Sequence, residues 1–186
     1  MRRSTIFEFL NSYPILTSKK VSLRRRKLDD GVREYAWRTD EELCRLDATI
    51  PLELSLAEFL DRYSVELEYP GLTYTLAIDT LEGLHIGVCS LFNLDFLNSI
   101  VEIGIMLGEK KYWDMGYGAE AVLTFVTYIF NTSSIDKIVL RTLDWNLRAR
   151  RCFEKCGFAP SGTQTKGQYC FLLMEIRRPV IPDNAQ

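Results

Sequence analysis

The stretch Lys111-Tyr112-Trp113-Asp114-Met115-Gly116-Tyr117-Gly118-Ala119-Glu120-Ala121 carries the strongest structural signal in this chain of 186 residues. An apolar, β-branched run at residues 101–107 precedes it and predicts a strand, while residues 119–130 have apolar side chains at helical spacing. Gly116 and Gly118 remove the side chains that would keep a ligand away from the backbone. Because the N–H groups of a first helical turn have no partner in the helix, the sequence predicts a phosphate-binding turn here.

A second segment downstream consists of Asp144-Trp145-Asn146-Leu147-Arg148-Ala149 and then Glu154-Lys155-Cys156-Gly157-Phe158. Residues 137–143 predict a strand, Asn146 is typical of a helix start, and residues 147–156 predict a helix that ends at Gly157. One face of this helix is apolar and predicted to be buried: Ala149, Cys152, Phe153 and Cys156. Taken alone, glycines at a turn and an asparagine at a helix start are ordinary structural features.

Together, the two motifs resemble those of the GNAT superfamily of acyl-CoA N-acyltransferases. The family pattern at the phosphate turn is Arg or Gln, two residues, Gly, one residue, then Gly or Ala, and here Trp113 occupies the Arg or Gln position. That departure is similar to the Rim-type branch, the ribosomal-protein N-terminal acetyltransferases. The resemblance spans residues 20–177 and is strongest over residues 101–158.

The resemblance implies an α/β (α+β) GNAT acyltransferase fold, with a mixed central sheet of about six to seven strands splayed around the cofactor and about four flanking helices. It also implies acetyl-CoA (coenzyme A) as cosubstrate and no metal. Arg148 and Arg151 either meet the nucleotide phosphates or form an exposed helix face. The implied cofactor-binding residues are Ile103, Ile105, Met115, Gly116, Tyr117, Gly118, Ala119, Asn146 and Arg151.

The rest of the chain has the patterns of a mixed fold. Residues 21–23 predict a first strand, residues 29–46 a helical run, and residues 55–66 a helix with a capping box from Ser55 to Glu58. Three strands at residues 73–79, 84–91 and 100–107 predict an antiparallel meander. Residues 169–176 predict the last strand.

Composition indicates one soluble enzyme domain over residues 1–186. With 47% hydrophobic residues, the chain can bury one sizeable core. The 23 basic and 25 acidic side chains give a net charge of −2, which does not favour nucleic acid or a membrane surface as partner. No apolar run approaches the ~20 residues that span a bilayer, and the first residues lack the apolar core of a signal peptide. We therefore expect a cytoplasmic monomer or homodimer.

The five cysteines are odd in number and include no Cys-x-x-Cys pair. Cys152 and Cys156 share a helix face, but His85 is the only histidine that could complete a metal site with them. Free thiols are therefore predicted. His85 lies in a strand pattern and is interpreted as a structural residue.

Acyl transfer to an amine requires a group that accepts a proton and a donor that stabilises the oxyanion. Glu102, in Val101-Glu102-Ile103-Gly104-Ile105, is the candidate base, and its apolar neighbours would raise its pKa. The alternative is a charge at a strand edge that faces water. The resemblance places the oxyanion donor at a backbone N–H near Ile105. Relatives often protonate the leaving thiolate with a Tyr or Ser, but Phe153 and Ala149 stand there, so transfer without a dedicated protein acid is expected.

The leading hypothesis is an acetyl-CoA-dependent N-acetyltransferase that moves acetyl to a primary amine by direct transfer in a ternary complex. The acceptor is either a protein N-terminus or a small molecule. Two alternatives stay open. One is a catalytically degenerate acyl-CoA-binding module, and the other is a transferase that uses another acyl-CoA or acts on a polyamine or antibiotic amine.

Overall fold

The computed structural model describes residues 15–69 and 71–179, so the first residues, used above in the signal-peptide argument, lie outside the described part. These ranges form one sheet with strand order β1-β2-β3-β4-β5-β6-β8-β7. The strands and α-helices are β1 Leu16–Thr17, β2 Val21–Arg25, α1 Gly31–Thr39, α2 Glu41–Leu46, α3 Leu56–Glu68, β3 Tyr74–Thr80, β4 His85–Asp95, β5 Ile100–Leu107, α4 Tyr117–Thr132, β6 Lys137–Leu143, α5 Leu147–Lys155, β7 Ala159–Lys166 and β8 Tyr169–Arg177.

The sheet opens between β5 and β6, the fifth and sixth of its eight strands. β5 pairs antiparallel with β4 and parallel with β6, but the parallel ladder covers only Ile100 to Glu102 on β5. β5 continues to Leu107, so the strands diverge beyond Glu102. Within the described sheet, this edge of β5 then has backbone groups with no partner strand. The predicted mixed, splayed sheet is confirmed, with eight strands in the described residues where about six to seven were expected.

The long helix α4 is held on the sheet by its apolar face. The buried residues Val122, Phe125, Val126 and Ile129 follow helical spacing and belong to the main core. Complete burial of a side chain such as Phe125 contributes about 1.5–3 kcal/mol relative to an exposed position. This packing fixes the first turn of α4 beside the opening of the sheet.

The helical run predicted over residues 29–46 is divided in the structure. Leu28–Asp30 form a 3-10 turn, α1 ends at Thr39, and α2 begins after Asp40. The Asp40 carboxylate accepts a hydrogen bond from the Leu43 N–H at 2.9 Å. An Asp that caps a new helix in this way interrupts the preceding one, which explains why a single run was wrong.

Trp37 fixes α1 against the end of β5. A Cβ added to Gly108 would lie 2.0 Å from the Trp37 ring, so only glycine fits there. This contact brings the α1–α2 segment next to the splayed half of β5. The residues that follow α1 therefore reach the opening of the sheet.

Two strands escaped the sequence-based prediction. β1 has two residues, and β7 has every residue exposed. The β7 sequence Ala-Pro-Ser-Gly-Thr-Gln-Thr-Lys has no apolar alternation, and it is ordered by pairing with β8. Tertiary pairing thus overrides a weak local preference. The predicted Ser55–Glu58 capping box is present at the start of α3.

His85 connects the strands to α1 through a buried charge network. Its ring nitrogens lie 3.3 Å from an Asp79 oxygen and 3.6 Å from a Glu34 oxygen. Arg24 pairs in turn with Asp79 at 2.6 Å and with Asp30 at 2.7 Å. Burial alone would lower the pKa of His85, but the carboxylates of Asp79 and Glu34 outweigh it and raise that pKa. These contacts support the structural role predicted for His85.

Candidate active site

Two cavities occupy the opening of the sheet. The larger cavity, about 720 Å³, lies between the end of β5, α5 and the turn that contains Gly116 and Gly118, called the glycine turn below. Its lining includes six of the predicted cofactor-binding residues: Ile105, Gly116, Gly118, Ala119, Asn146 and Arg151. We refer to it as the cofactor cleft.

The glycine turn at one end of the cleft has the geometry of an anion site. Gly116 is the N-cap of α4 with φ of +85°, a left-handed conformation that favours glycine. No side chain caps this helix start, so its first N–H groups remain available to a ligand. The 16-residue helix also directs the positive end of its dipole at this point. The turn can therefore hold a pyrophosphate.

Two predicted cofactor residues lie beside the turn and do not line the cleft. The Met115 carbonyl accepts a hydrogen bond from the Lys20 ammonium at 2.8 Å. The same ammonium lies 5.5 Å from the centre of the Tyr117 ring. Lys20 thereby fastens the start of β2 to the turn.

Trp113 replaces the Arg or Gln of the family pattern, and Arg148 supplies a positive charge beside it. Its indole N–H donates to the Leu107 carbonyl at 2.8 Å, which fixes the ring. The Arg148 guanidinium lies over that ring, 3.5 Å from its centre. Arg148 and Arg151 both line the cleft, and Arg151 is also exposed, so a phosphate-binding role and an exposed helix face both stay open for them.

Helix α5 supplies the other wall. The Asn146 side chain accepts a hydrogen bond from the Ala149 N–H at 3.2 Å and also lines the cleft, so it both caps α5 and faces the ligand space. The predicted buried face is only half buried. Cys156 is in the core and Phe153 is buried at the edge of the cleft, whereas the half-buried Ala149 and Cys152 line the cleft, because this end of α5 meets the open part of the sheet.

The smaller cavity, about 380 Å³, contains the candidate base and is called the acceptor cavity below. Ile103 lines this cavity and not the cofactor cleft. The Glu102 carboxylate accepts a hydrogen bond from the Asn93 amide at 2.8 Å and pairs with Arg141 at 3.1 Å. The apolar surroundings expected for Glu102 are therefore wrong, since its neighbours along a strand point to the other face of the sheet.

The two cavities meet along a shared wall. The residues that line both are Leu46, Asp47, Ile105, Met106, Asn146, Ala149 and Phe153. Among these, only Asp47 has a titratable side chain. Sequence reasoning missed Asp47 because no motif surrounds it, and only the fold brings the end of α2 to this place.

The remaining expectations concern cysteines, metals and membranes. The cysteines at positions 44, 89, 152, 156 and 170 are all free. Among the residues that the structure describes, no group of three or more His, Cys, Asp or Glu is placed to hold a metal ion. No helix within residues 15–69 and 71–179 has the length and apolar character needed to cross a membrane.

Comparison with known proteins identifies the family. The pattern that defines the acetyltransferase (GNAT) domain matches residues 20–159. The alpha/beta-tubulin-N-acetyltransferase 9 of Homo sapiens is 27% identical over 179 residues, covering 90% of this chain and 86% of that protein. The spermidine N-acetyltransferase of Vibrio cholerae, solved with CoA and spermine, has a TM-score of 0.75 at 17% identity and covers 86% of this chain and 96% of its own. An aminoglycoside acetyltransferase in complex with coenzyme A has a TM-score of 0.71 at 23% identity, with 85% and 95% covered.

This chain belongs to the GNAT acetyltransferase family. It is an N-acetyltransferase that takes its acetyl group from acetyl-CoA.

Proposed function

We propose that acetyl-CoA lies along the cofactor cleft with its pyrophosphate at the glycine turn and its thioester at the wall shared with the acceptor cavity. One observation carries this proposal: a helix start with uncapped N–H groups and a carboxylate-lined cavity meet where β5 and β6 separate. The acceptor amine enters from the Glu102 side. Direct transfer in a ternary complex follows, because donor and acceptor then share one reaction space.

The chemistry needs a proton acceptor and an oxyanion donor. Glu102 lines the acceptor cavity, and we assign it the proton that the ammonium must lose before it attacks. The part of β5 that no longer pairs with β6 contains Ile103 and Ile105, and both residues line the acceptor cavity. A backbone N–H near Ile105 then stabilises the tetrahedral oxyanion.

The charges of the acceptor cavity bear on the acceptor. Two carboxylates line it, and each has an arginine beside it: Glu102 with Arg141 at 3.1 Å, and Asp47 with Arg38 at 3.9 Å. A polyamine carries several positive charges and is best bound by an excess of carboxylates, which this cavity lacks. The balance favours a single α-amine, so we propose a protein N-terminus as acceptor. The Rim-type resemblance and the tubulin-acetylating relative agree with this choice.

A second candidate acceptor is a small-molecule amine. A kanamycin resistance protein of Rhizobium radiobacter is 37% identical over 59 residues, and the spermidine enzyme shares the fold. In either case we propose that residues 1–186 act as a single acetyltransferase domain in the cytoplasm, as a monomer or homodimer. The net charge of −2 supports the absence of a nucleic-acid or membrane partner.

A panel of acceptors tests the proposal. The protein is incubated with acetyl-CoA and peptides with free N-termini, spermidine or an aminoglycoside, and the products are weighed by mass spectrometry. N-terminally blocked copies of the peptides serve as controls. Acetylation of free peptides alone is expected. Acetylation of spermidine or aminoglycoside alone would transfer the assignment to small amines, and bound acetyl-CoA with no product would favour the degenerate binding module.

A further inference from the structure

Asp47 is the titratable side chain on the wall that the two cavities share. It follows α2, and its backbone N–H donates to the Leu43 carbonyl at 3.0 Å, so the helix end fixes its position. Its carboxylate is not used for capping. In the described part of the chain, its charged partner is Arg38 at 3.9 Å, and 49% of the side chain is exposed. A long, exposed ion pair of this kind holds a carboxylate weakly.

Glu102 provides the contrast. Its side chain is only 13% exposed, and Asn93 and Arg141 both occupy its oxygens at hydrogen-bonding distance. Glu102 lines only the acceptor cavity, whereas Asp47 lines both cavities. The two carboxylates are therefore placed for different steps.

The proton balance of acetyl transfer defines the second step. An acceptor ammonium loses one proton before attack, and a second proton leaves its nitrogen after the N–C bond forms. Collapse of the tetrahedral intermediate breaks the C–S bond and leaves a CoA thiolate, which gains one proton. One group that faces both the nitrogen and the sulfur can carry that second proton between them.

We infer that Asp47 is a catalytic residue that takes the second proton from the nitrogen of the tetrahedral intermediate and delivers it to the departing sulfur. This role rests on the proposed acetyl transfer. Transfer without a protein acid was expected because Phe153 and Ala149 have no proton to give. Asp47 lines the same wall as these two residues and would supply the missing acid.

The electrostatic surroundings support the assignment. Half of the Asp47 side chain is exposed, but the cavity walls that cover the other half raise its pKa, and the charge of Arg38 offsets this only in part. The other titratable or charged side chains that line the cavities line one each: Arg38, Glu102 and Arg141 line the acceptor cavity, and Tyr112, Asp114, Arg148, Arg151, Cys152 and Lys155 line the cofactor cleft. A weakly paired carboxylate that lines both cavities can accept a proton on one side and return it on the other.

Asp47→Asn tests the inference, with Asp61→Asn on the exposed surface of α3 as the matched control. We expect Asp47→Asn to lower kcat by ~10²-fold at saturating acetyl-CoA and peptide, with unchanged affinity for acetyl-CoA by calorimetry. Asp47→Glu should recover part of the loss, and Asp61→Asn should retain full activity. Calorimetric binding of acetyl-CoA also verifies that each variant is folded.

Arg38→Met gives an independent readout. Because Arg38 favours the ionised form of Asp47, its removal should shift the acidic limb of the kcat profile to higher pH, and the same limb should be absent in Asp47→Asn. An active wild type with an Asp47→Asn variant within about threefold of it, or an unmoved limb in Arg38→Met, would overturn the role of Asp47 alone. A folded wild type that acetylates no amine would instead overturn the proposed function, and the inference with it.

Discussion

The Arg148 guanidinium lies 3.5 Å from the centre of the Trp113 ring, so a cation from α5 stands over the position where the family pattern places Arg or Gln. Trp113 is itself fixed through its hydrogen bond to Leu107. Charge at this end of the cleft is therefore supplied from the opposite wall. The tryptophan holds the arginine in place.

Arg148 and Trp113 should act as a unit in cofactor binding. A cation–π contact contributes about 0.5–2 kcal/mol, so Arg148→Met and Trp113→Leu should each weaken acetyl-CoA binding by about twofold to thirtyfold. The double variant should lose less than the product of the two, as calorimetry can measure. Arg62→Met on α3 removes the same charge away from the cleft and should bind normally. Tighter binding by Arg148→Met would show that the stack obstructs the cleft.

Gly116→Val should obstruct the glycine turn. A bulky side chain there would project where the pyrophosphate approaches the backbone, and we expect at least tenfold weaker binding of acetyl-CoA by calorimetry. Gly83→Val is the matched control. Gly83 has φ of +83°, close to the +85° of Gly116, so a valine at either position causes similar backbone strain. Gly83 lies in the β3–β4 turn and does not line the cleft. Equal affinity of the two variants for acetyl-CoA would contradict phosphate binding at this turn.

The sequence predicts much of this fold because its central elements have strong local patterns. β6, α4 and α5 follow apolar periodicity, and Gly116 and Gly157 have the positive φ that their turn positions require. β7 was missed because its residues are polar and its pairing with β8 is non-local. Asp40 ended a predicted helix by capping the next one.

The site is less predictable than the fold for the same reason. Gly116, Gly118 and Asn146 belong to motifs and were found from them. Asp47 and Arg38 enter the acceptor cavity only because Trp37 packs on Gly108 and brings α1 and α2 to the end of β5. Glu102 has two partners, Asn93 from β4 and Arg141 from β6, and sequence proximity cannot reveal them.

Glu102→Gln should separate catalysis from binding. The amide keeps the shape of the side chain but cannot take a proton, so kcat with a saturating amine should fall by ~10²-fold. Affinity for acetyl-CoA, measured by calorimetry, should hold because Glu102 does not line the cofactor cleft. A pH–rate profile like that of the wild type would leave Glu102 as a structural partner of Arg141.

The His85 network predicts a pH dependence of stability. Because the folded state raises the pKa of His85 above its ordinary value of 6.5, the protonated ring favours folding. The contribution is complete below that value and is lost as the pH rises through the folded-state pKa. Urea unfolding should therefore show a free-energy difference between wild type and His85→Gln that is larger near about pH 6 than near about pH 8.5. A difference that grows with pH would contradict this assignment.

The release of CoA thiol tests the central claim most directly. Wild-type protein is mixed with acetyl-CoA and an excess of a free-N-terminal peptide, and CoA is titrated with a thiol reagent while the acetylated peptide is counted by mass spectrometry. We predict one CoA released for each peptide acetylated, with release abolished when the peptide N-terminus is blocked. Bound acetyl-CoA without amine-dependent release, for peptides, polyamines and aminoglycosides alike, would contradict the account.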